Sequence, residues 1–112
     1  MNSIRRSPAD VTPRELNDEI AGGAPLVLVD VREPVEWAIA RIPTARHIPL
    51  DQLAAAAETI DRDADLVVYC HHGVRSAAAA DWLRGLGFVR VRNLVGGIDR
   101  WSVEVDATVP RY

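Results

Sequence analysis

Apolar runs separated by polar segments indicate where the strands of this chain lie. Residues 26–31 and 66–69 are almost continuously apolar and rich in valine and leucine, which is typical of strands buried on both faces of a parallel sheet. Residues 88–91 predict a third strand and residues 46–48 a short fourth one. The polar segments between these strands leave room for helices.

The intervening segments carry helix signals. Thr12 and Glu15 form a capping box around Pro13, so a helix is predicted over residues 13–21, where two glycines end it. Further helices, the first of them a helix or a turn, are predicted over residues 34–40, 52–59, 75–86 and 96–101. Strands that alternate with helices predict an α/β fold with a central parallel sheet flanked by helices on both faces.

Large apolar side chains mark the faces that these helices bury. The apolar face of helix 75–86 is predicted to comprise Ala79, Trp82, Leu83 and Leu86. Aromatic side chains bury large areas. The three tryptophans are therefore predicted to lie in the core or to form a pocket wall; they are Trp37, Trp82 and Trp101.

Length and charge narrow the class of protein. The 112 residues carry a net charge of −3, and this length predicts one domain over residues 1–112, with a core over about 8–103 and a tail over 104–112. The acidic balance argues against binding to nucleic acid or to an anionic membrane surface. Residues 1–10 show no secretory signal and no apolar run is long enough to span a bilayer, so a cytoplasmic location is expected.

Cys70 is the single cysteine of the chain, which excludes an internal disulfide and a multi-cysteine metal site. It follows a predicted strand and precedes a predicted helix, at the edge of the sheet where such folds bind ligands. Gly73 allows the intervening loop to curl so that backbone amides point inward, and the helix dipole and Arg75 add positive charge. These effects favour a thiolate, so Cys70 is predicted to be a reactive nucleophile rather than a buried structural thiol.

The polar neighbours of Cys70 leave alternatives open. Arg75 lies in the first turn of a helix, where the dipole disfavours a cation, so it either meets a substrate anion or pairs with Asp81 or Asp30. His71 and His72 either line a pocket rim and attract an anionic substrate or are ordinary loop residues. Two adjacent histidines rarely close one metal site, so no metal is predicted.

Four ordered segments resemble the rhodanese-like domain family. They are Asp-Val-Arg-Glu-Pro-Val-Glu-Trp at 30–37, Ile-Pro-Thr-Ala-Arg-His-Ile-Pro-Leu at 42–50, Cys-His-His-Gly-Val-Arg-Ser at 70–76 and Gly-Gly-Ile-Asp-Arg-Trp at 96–101. The chain departs from the family pattern at Arg41, Thr44 and Arg100, where histidine, glycine and alanine are usual. None of these departures lies in the cysteine loop, but the first two leave the geometry of the turn at 41–45 open.

The resemblance implies a sulfurtransferase. It would move a sulfane sulfur from a donor such as thiosulfate to a thiophilic acceptor, with Cys70 carrying the sulfur as a persulfide in a ping-pong scheme. Asp30, Arg32 and Glu36 are expected to support neighbouring loops through ion pairs. The substrate-binding residues implied are His71, His72, Gly73, Val74, Arg75 and Ser76.

The resemblance also bears on cofactors and partners. No metal or organic cofactor is implied. The expected partners are a small sulfur donor, either thiosulfate or a persulfide, and as a second option a protein sulfur acceptor. The end of the chain, with Tyr112, is similar to rhodanese-like domains fused behind adenylyltransferases, which pass sulfur to small carrier proteins. The chain is expected to be a monomer or a weak homodimer.

Two other kinds of function stand as alternatives. Phosphatases and arsenate reductases with a related loop have a longer one, whereas four residues separate Cys70 from Arg75 here, which disfavours both activities. A cysteine-based sensor of oxidants or persulfides, or a protein-interaction module without turnover, would need the same kind of thiol. Only turnover separates these functions from a transferase.

Overall fold

The strands form one parallel sheet. The computed structural model describes residues 9–112, so the domain boundary predicted at residue 8 lies outside the described residues. Within them the strands are β1 (Asp10–Val11), β2 (Leu26–Asp30), β3 (Arg46–His47), β4 (Asp65–Tyr69) and β5 (Val91–Leu94). They lie in the order β1-β5-β4-β2-β3, and all neighbouring pairs are parallel. The predicted central parallel sheet is confirmed, with β4 in its middle.

Helices connect the strands. They are α1 (Pro13–Ala21), α2 (Pro34–Ile39), α3 (Leu53–Ala57), α4 (Val74–Gly85) and α5 (Gly97–Glu104), with a 3-10 turn at Leu50–Gln52 before α3. The predicted capping box starts α1, since the Glu15 amide donates to the Thr12 hydroxyl at 3.2 Å and the Thr12 amide donates to the Glu15 carboxylate at 2.9 Å. From residue 9 onward, no helix has the length and apolarity needed to cross a membrane.

Several element boundaries differ from the prediction. The last long strand begins at Val91 rather than at residue 88, because Phe88 caps α4. Gly87 adopts a φ of 99°, and the Phe88 amide donates to the Leu83 carbonyl at 3.2 Å, as in a helix C-terminal cap. In addition α3 is shorter than predicted, α5 extends past Trp101, and the sequence does not predict the two-residue β1.

Alternate residues of the central strands point to two apolar layers. Val29 and Val68 face one layer, and Leu28 and Val67 face the other, as the two-residue period of a strand requires. Helices α3 and α4 cover the first layer, and α1 and α5 cover the second. The predicted flanking of the sheet by helices is therefore confirmed. Val109, in the predicted tail, is buried in the second layer, so the core extends past residue 103.

The buried face of α4 is narrower than predicted. Ala79 and Leu83 are buried, but Trp82 and Leu86 are 43% and 41% exposed, so their placement on the core face is wrong. Ala80 joins the core instead. The small residues Ala79 and Ala80 share this part of the core with residues of β4 and β5, and the larger Trp82 lies outside it.

The turn before β3 holds a threonine in the left-handed region. Thr44 has a φ of 74°, where a residue with a side chain costs roughly 1–2 kcal/mol. The turn still closes, since the Ala45 amide donates to the Ile42 carbonyl at 3.2 Å. The departure from glycine at residue 44 is therefore accommodated at the expense of local strain.

A buried ion pair fixes the end of β2. Asp30 and Arg32 are fully buried, and Arg32 Nε and Nη2 donate to the Asp30 carboxylate at 2.9 and 2.6 Å. Nη2 also donates to the Ala40 carbonyl at 2.5 Å, which ties the end of α2 to β2. Burial alone would lower the pKa of Arg32, but the hydrogen bonds that it donates to Asp30 and Tyr112 hold that pKa above its ordinary value. Through these contacts Arg32 joins the end of β2 to the end of α2.

Replacing Asp30 by asparagine tests this pair. Removing one partner of a buried pair leaves the other charge uncompensated, so Asp30→Asn should lower the free energy of unfolding by about 3–5 kcal/mol in urea denaturation. The matched control is Asp81→Asn, whose carboxylate pairs with Arg84 but is 77% exposed, and it should cost no more than about 1 kcal/mol. Equal losses in the two variants would show that burial adds nothing to the pair.

Candidate active site

Cys70 directly follows β4 at the carboxyl end of the sheet, and its side chain is buried. The amides of Gly73 and Ser76 donate to Sγ at 3.2 and 3.4 Å, and the Ser76 hydroxyl lies 3.3 Å from it. Gly73 adopts a φ of 93°, which turns the loop around the sulfur. Burial by itself would raise the pKa of Cys70, but the hydrogen bonds from Ser76 and Gly73 and the charge of Arg75 hold it below its ordinary value.

The start of α5 supports the cysteine loop from below. The amides of Ile98 and Asp99 donate to the carbonyls of Cys70 and His71 at 2.9 and 3.1 Å. Gly97 makes this approach possible, since a Cβ at that position would lie 2.4 Å from the Cys70 carbonyl oxygen. The two glycine-containing segments of the resemblance are therefore halves of one structure: one curls around the sulfur, and the other holds the loop that does so.

Arg75 pairs with Glu36. Its two terminal nitrogens donate to the two carboxylate oxygens at 2.7 and 2.9 Å, so the pairing with Asp81 or Asp30 considered from the sequence is wrong. Those two carboxylates pair with Arg84 and Arg32 instead. Hydrogen bonds from Arg75, together with one from Tyr112, lower the pKa of Glu36 to about 2 in spite of its partial burial. A carboxylate thus balances the positive charge beside the cysteine.

Tyr112 joins the tail of the chain to this site, which the sequence does not predict. Its hydroxyl accepts from Arg32 Nη1 at 2.7 Å and donates to Glu36 at 2.8 Å. Its ring stacks on His71 with the centroids 3.9 Å apart and the planes 7° apart. Asp30, Arg32, Tyr112, Glu36 and Arg75 therefore form one chain of hydrogen bonds from the buried strand end to the cysteine loop.

The two histidines form part of a ring stack. His71 lies between Tyr112 and His72, with both centroid distances 3.9 Å. Burial and the neighbouring His72 lower the pKa of His71, which favours its uncharged form near pH 7. His72 on the loop and Val74 at the start of α4 are exposed. Across residues 9–112, the structure shows no cluster of side chains suited to hold a metal ion.

Asn93 is a second residue that the sequence does not single out. It lies on β5 beneath the loop and is 8% exposed. Its Oδ1 is 2.5 Å from the Ser76 hydroxyl, and its Nδ2 donates to the Gly73 carbonyl at 3.2 Å. Asn93 thereby contacts both residues whose amides bind Sγ. No sequence motif marks Asn93, because its contacts are with residues 17 and 20 positions away in the sequence.

An apolar groove of about 360 Å³ runs beside the loop. Arg75 is at one side of it, and Trp82 on α4 faces it from another. The remaining lining residues are Leu50, Leu53, Ala54, Ala78 and Ala79. The exposure of Trp82 is thereby explained, since its ring is a groove wall as the sequence allowed, although it does not belong to the core face.

Cys70, whose sulfur accepts hydrogen bonds from loop amides, thus lies at the end of the central strand of a parallel α/β sheet. The model of the rhodanese-like domain family matches residues 12–104. The chain belongs to this family, which confirms the resemblance carried by the four sequence segments.

Relatives and solved structures agree with this assignment. The chain is 36% identical over 91 residues to thiosulfate sulfurtransferase GlpE of Ectopseudomonas mendocina, covering 81% of this chain and 82% of that protein. It is 38% identical over 104 residues to the probable adenylyltransferase/sulfurtransferase MoeZ of Mycobacterium tuberculosis, covering 91% of this chain and 26% of that protein. It therefore spans about a quarter of such longer relatives. The structure of the human single-domain sulfurtransferase TSTD1 matches with a TM-score of 0.80 at 28% identity, covering 86% of this chain and 96% of that one.

The contact between Gly97 and the loop predicts a selective effect of a methyl group. In Gly97→Ala the new Cβ would meet the Cys70 carbonyl, and the φ of 60° is strained for alanine, so the free energy of unfolding should fall by about 2–3 kcal/mol. Gly85→Ala is the control, since a Cβ there meets nothing within 4 Å, and its change should stay within about 1 kcal/mol. Chemical denaturation measures both, and a harmless Gly97→Ala would show that the loop is not held in this way.

The Glu36–Arg75 pair predicts a stability change in acid. The pKa of Glu36 is about 2 in the folded protein against 4.5 ordinarily. The ionised carboxylate therefore adds its full share to the free energy of unfolding above about pH 5, and this share is lost as the pH falls toward 2. Glu36→Gln should be less stable than wild type by about 1–2 kcal/mol at pH 6, after allowance for the solvent exposure of the pair. The difference should shrink between pH 5 and pH 2 in urea denaturation. A difference that stays constant over this range would refute the assignment.

Proposed function

We propose that this chain is a sulfurtransferase that carries a sulfane sulfur on Cys70. The observation that carries the proposal is the environment of Sγ, where two backbone amides and the Ser76 hydroxyl surround a thiol with a lowered pKa. Relatives named as sulfurtransferases, including GlpE of similar length, support it. The proposed donor is thiosulfate or a small persulfide.

The proposed reaction has two half-reactions. The Cys70 thiolate attacks the outer sulfur of thiosulfate, so an S–S bond forms at Sγ, the S–S bond of the donor breaks, and sulfite leaves with the electron pair. A thiophilic acceptor such as cyanide or a thiolate then attacks the outer sulfur, and the Cys70 thiolate leaves. The first amides of α4 have no partner within the helix, and we assign those of Val74 and Arg75 to hold the outer sulfur.

The charged side chains have a different part in this proposal. Because Arg75 already binds both oxygens of Glu36, we assign its charge a minor part in favouring the thiolate at Sγ and no direct part in binding the donor. His71, whose uncharged form is favoured near pH 7, and His72 form the rim of the site. Asp30, Arg32 and Glu36 hold this loop from behind. A reducing compartment keeps a lone reactive thiol from being oxidised, so we propose that the reaction takes place in the cytoplasm.

A protein acceptor is the second part of the proposal. MoeZ and UBA4 of Candida albicans are named as joined adenylyltransferases and sulfurtransferases, and the chain matches only about a quarter of each. We propose that an acceptor protein in trans takes the sulfur. A persulfide or redox sensor is the alternative that the same thiol supports, and it would load once without turning over.

Intact mass spectrometry tests the proposal. After incubation with thiosulfate, wild type should gain one sulfur atom, and a cyanide chase should remove it as thiocyanate appears. Cys70→Ser should do neither, whereas Asp81→Asn, on the exposed side of α4, should behave as wild type. Loading without release to cyanide or thiols would favour the sensor. A folded wild type that stays unmodified by thiosulfate, mercaptopyruvate and a small persulfide would overturn the proposal.

A further inference from the structure

The Asn93 amide has one orientation in this site. Its two ends face the Gly73 carbonyl oxygen at 3.2 Å and the Ser76 hydroxyl at 2.5 Å. A carbonyl oxygen can only accept a hydrogen bond, so Nδ2 must be the end that faces Gly73. Oδ1 therefore faces Ser76, and since it can only accept, the short contact requires the proton of the Ser76 hydroxyl.

Ser76 has one proton and two partners that can use it. Its Oγ is 2.5 Å from Asn93 Oδ1 and 3.3 Å from Cys70 Sγ. While the proton points to Asn93, Ser76 presents lone pairs to the sulfur. Lone pairs suit a protonated thiol, which donates, and do not suit a thiolate, which only accepts. Both side chains are buried, so an unmade hydrogen bond on either side is costly.

We propose that Asn93 is a positioning residue that acts on Cys70 through Ser76: it holds the Ser76 proton while the sulfur is a thiol or a persulfide, and gives it up to the thiolate. When the thiol proton leaves to solvent, the hydroxyl turns toward Sγ and Asn93 Oδ1 loses its donor. When the outer sulfur binds, Sγ is no longer an anion and the proton returns to Asn93. This cycle rests on the proposed function only for its persulfide step.

The charged groups around the thiol are the same in wild type and in variants of Asn93. Arg75 on α4 is the cation that acts on Cys70, and Glu36 on α2 balances it. His71 and His72 lie in the loop itself, and Asp99 on α5 faces them. Asn93 is uncharged, so its replacement adds or removes no charge among these groups. A shift in the ionisation of Cys70 then reports on hydrogen bonding.

The test is a thiolate titration by ultraviolet absorbance, with Cys70→Ser as the blank. In Asn93→Ala the hydroxyl is free to donate to the thiolate, so the pKa of Cys70 should fall by about one unit, a roughly tenfold change in its ionisation constant. Ser76→Ala should raise that pKa. In the Ser76→Ala background, Asn93→Ala should have no further effect, because the two residues then share no interaction.

Controls separate this role from general damage to the fold. Asn93→Leu fills the volume without polar atoms and should shift the titration in the same direction as Asn93→Ala. Ser102→Ala removes a buried hydroxyl that donates to the Ile98 carbonyl on α5, and it should leave the Cys70 titration unchanged. A rise in pKa in both Asn93 variants, or a shift that persists without the Ser76 hydroxyl, would overturn the proposal.

The titration needs no sulfur donor, so its outcome is separate from that of the loading experiment. If wild type loads sulfur but the double-variant cycle is additive, the sulfurtransferase proposal stands and the role of Asn93 fails. If the cycle is non-additive but no donor loads Cys70, the role of Asn93 stands for a thiol of another function. If both proposals hold, the rate of sulfur loading should fall at low pH with the pKa of Cys70, and this fall should shift in each variant by as much as the titration does.

Discussion

The buried charge of Arg32 is the constraint on which the structure around the candidate active site depends. A guanidinium without exposure to water needs a carboxylate and further acceptors, and Asp30, the Ala40 carbonyl and the Tyr112 hydroxyl supply them. Each partner comes from a different part of the chain, so satisfying one charge draws together β2, the end of α2 and the tail. The Tyr112 hydroxyl in turn donates to Glu36, and Glu36 binds Arg75, which follows the cysteine loop.

The charges near Cys70 nearly cancel, which gives the backbone the larger part in stabilising the sulfur. Arg75 is neutralised by a bidentate carboxylate, and burial and His72 favour the uncharged form of His71. The amides of Gly73 and Ser76 carry no counter-charge and cannot leave, since α5 fixes the loop carbonyls. Fixed dipoles of this kind need no reorganisation when the sulfur ionises.

Local patterns in the sequence predict the fold and the loop that surrounds Cys70, whereas contacts between distant segments escape them. The runs at β2 and β4, the capping box of α1 and the glycine of the cysteine loop are signals contained within a few residues, and each takes its predicted place. Arg75 is separated from its partner Glu36 by 39 positions in the sequence, and Arg32 is separated from its partner Tyr112 by 80. The sequence does not predict the role of Asn93 for a related reason. Phe88 belongs to the cap of α4, so β5 begins at Val91 and includes Asn93, which the predicted strand 88–91 leaves out.

Burial of Cys70 limits which donors and acceptors could reach its sulfur in the proposed reaction. The thiol is 1% exposed, with amides on one side and the core layer on the other, so only a slender group can reach Sγ. An added sulfur extends the reactive atom by one S–S bond, about 2 Å, and the open side of the loop is the direction left to it. In the proposed reaction the loaded cysteine would thus be more accessible than the free one. A bulky acceptor, including a protein, would then meet the persulfide and be kept from the thiol.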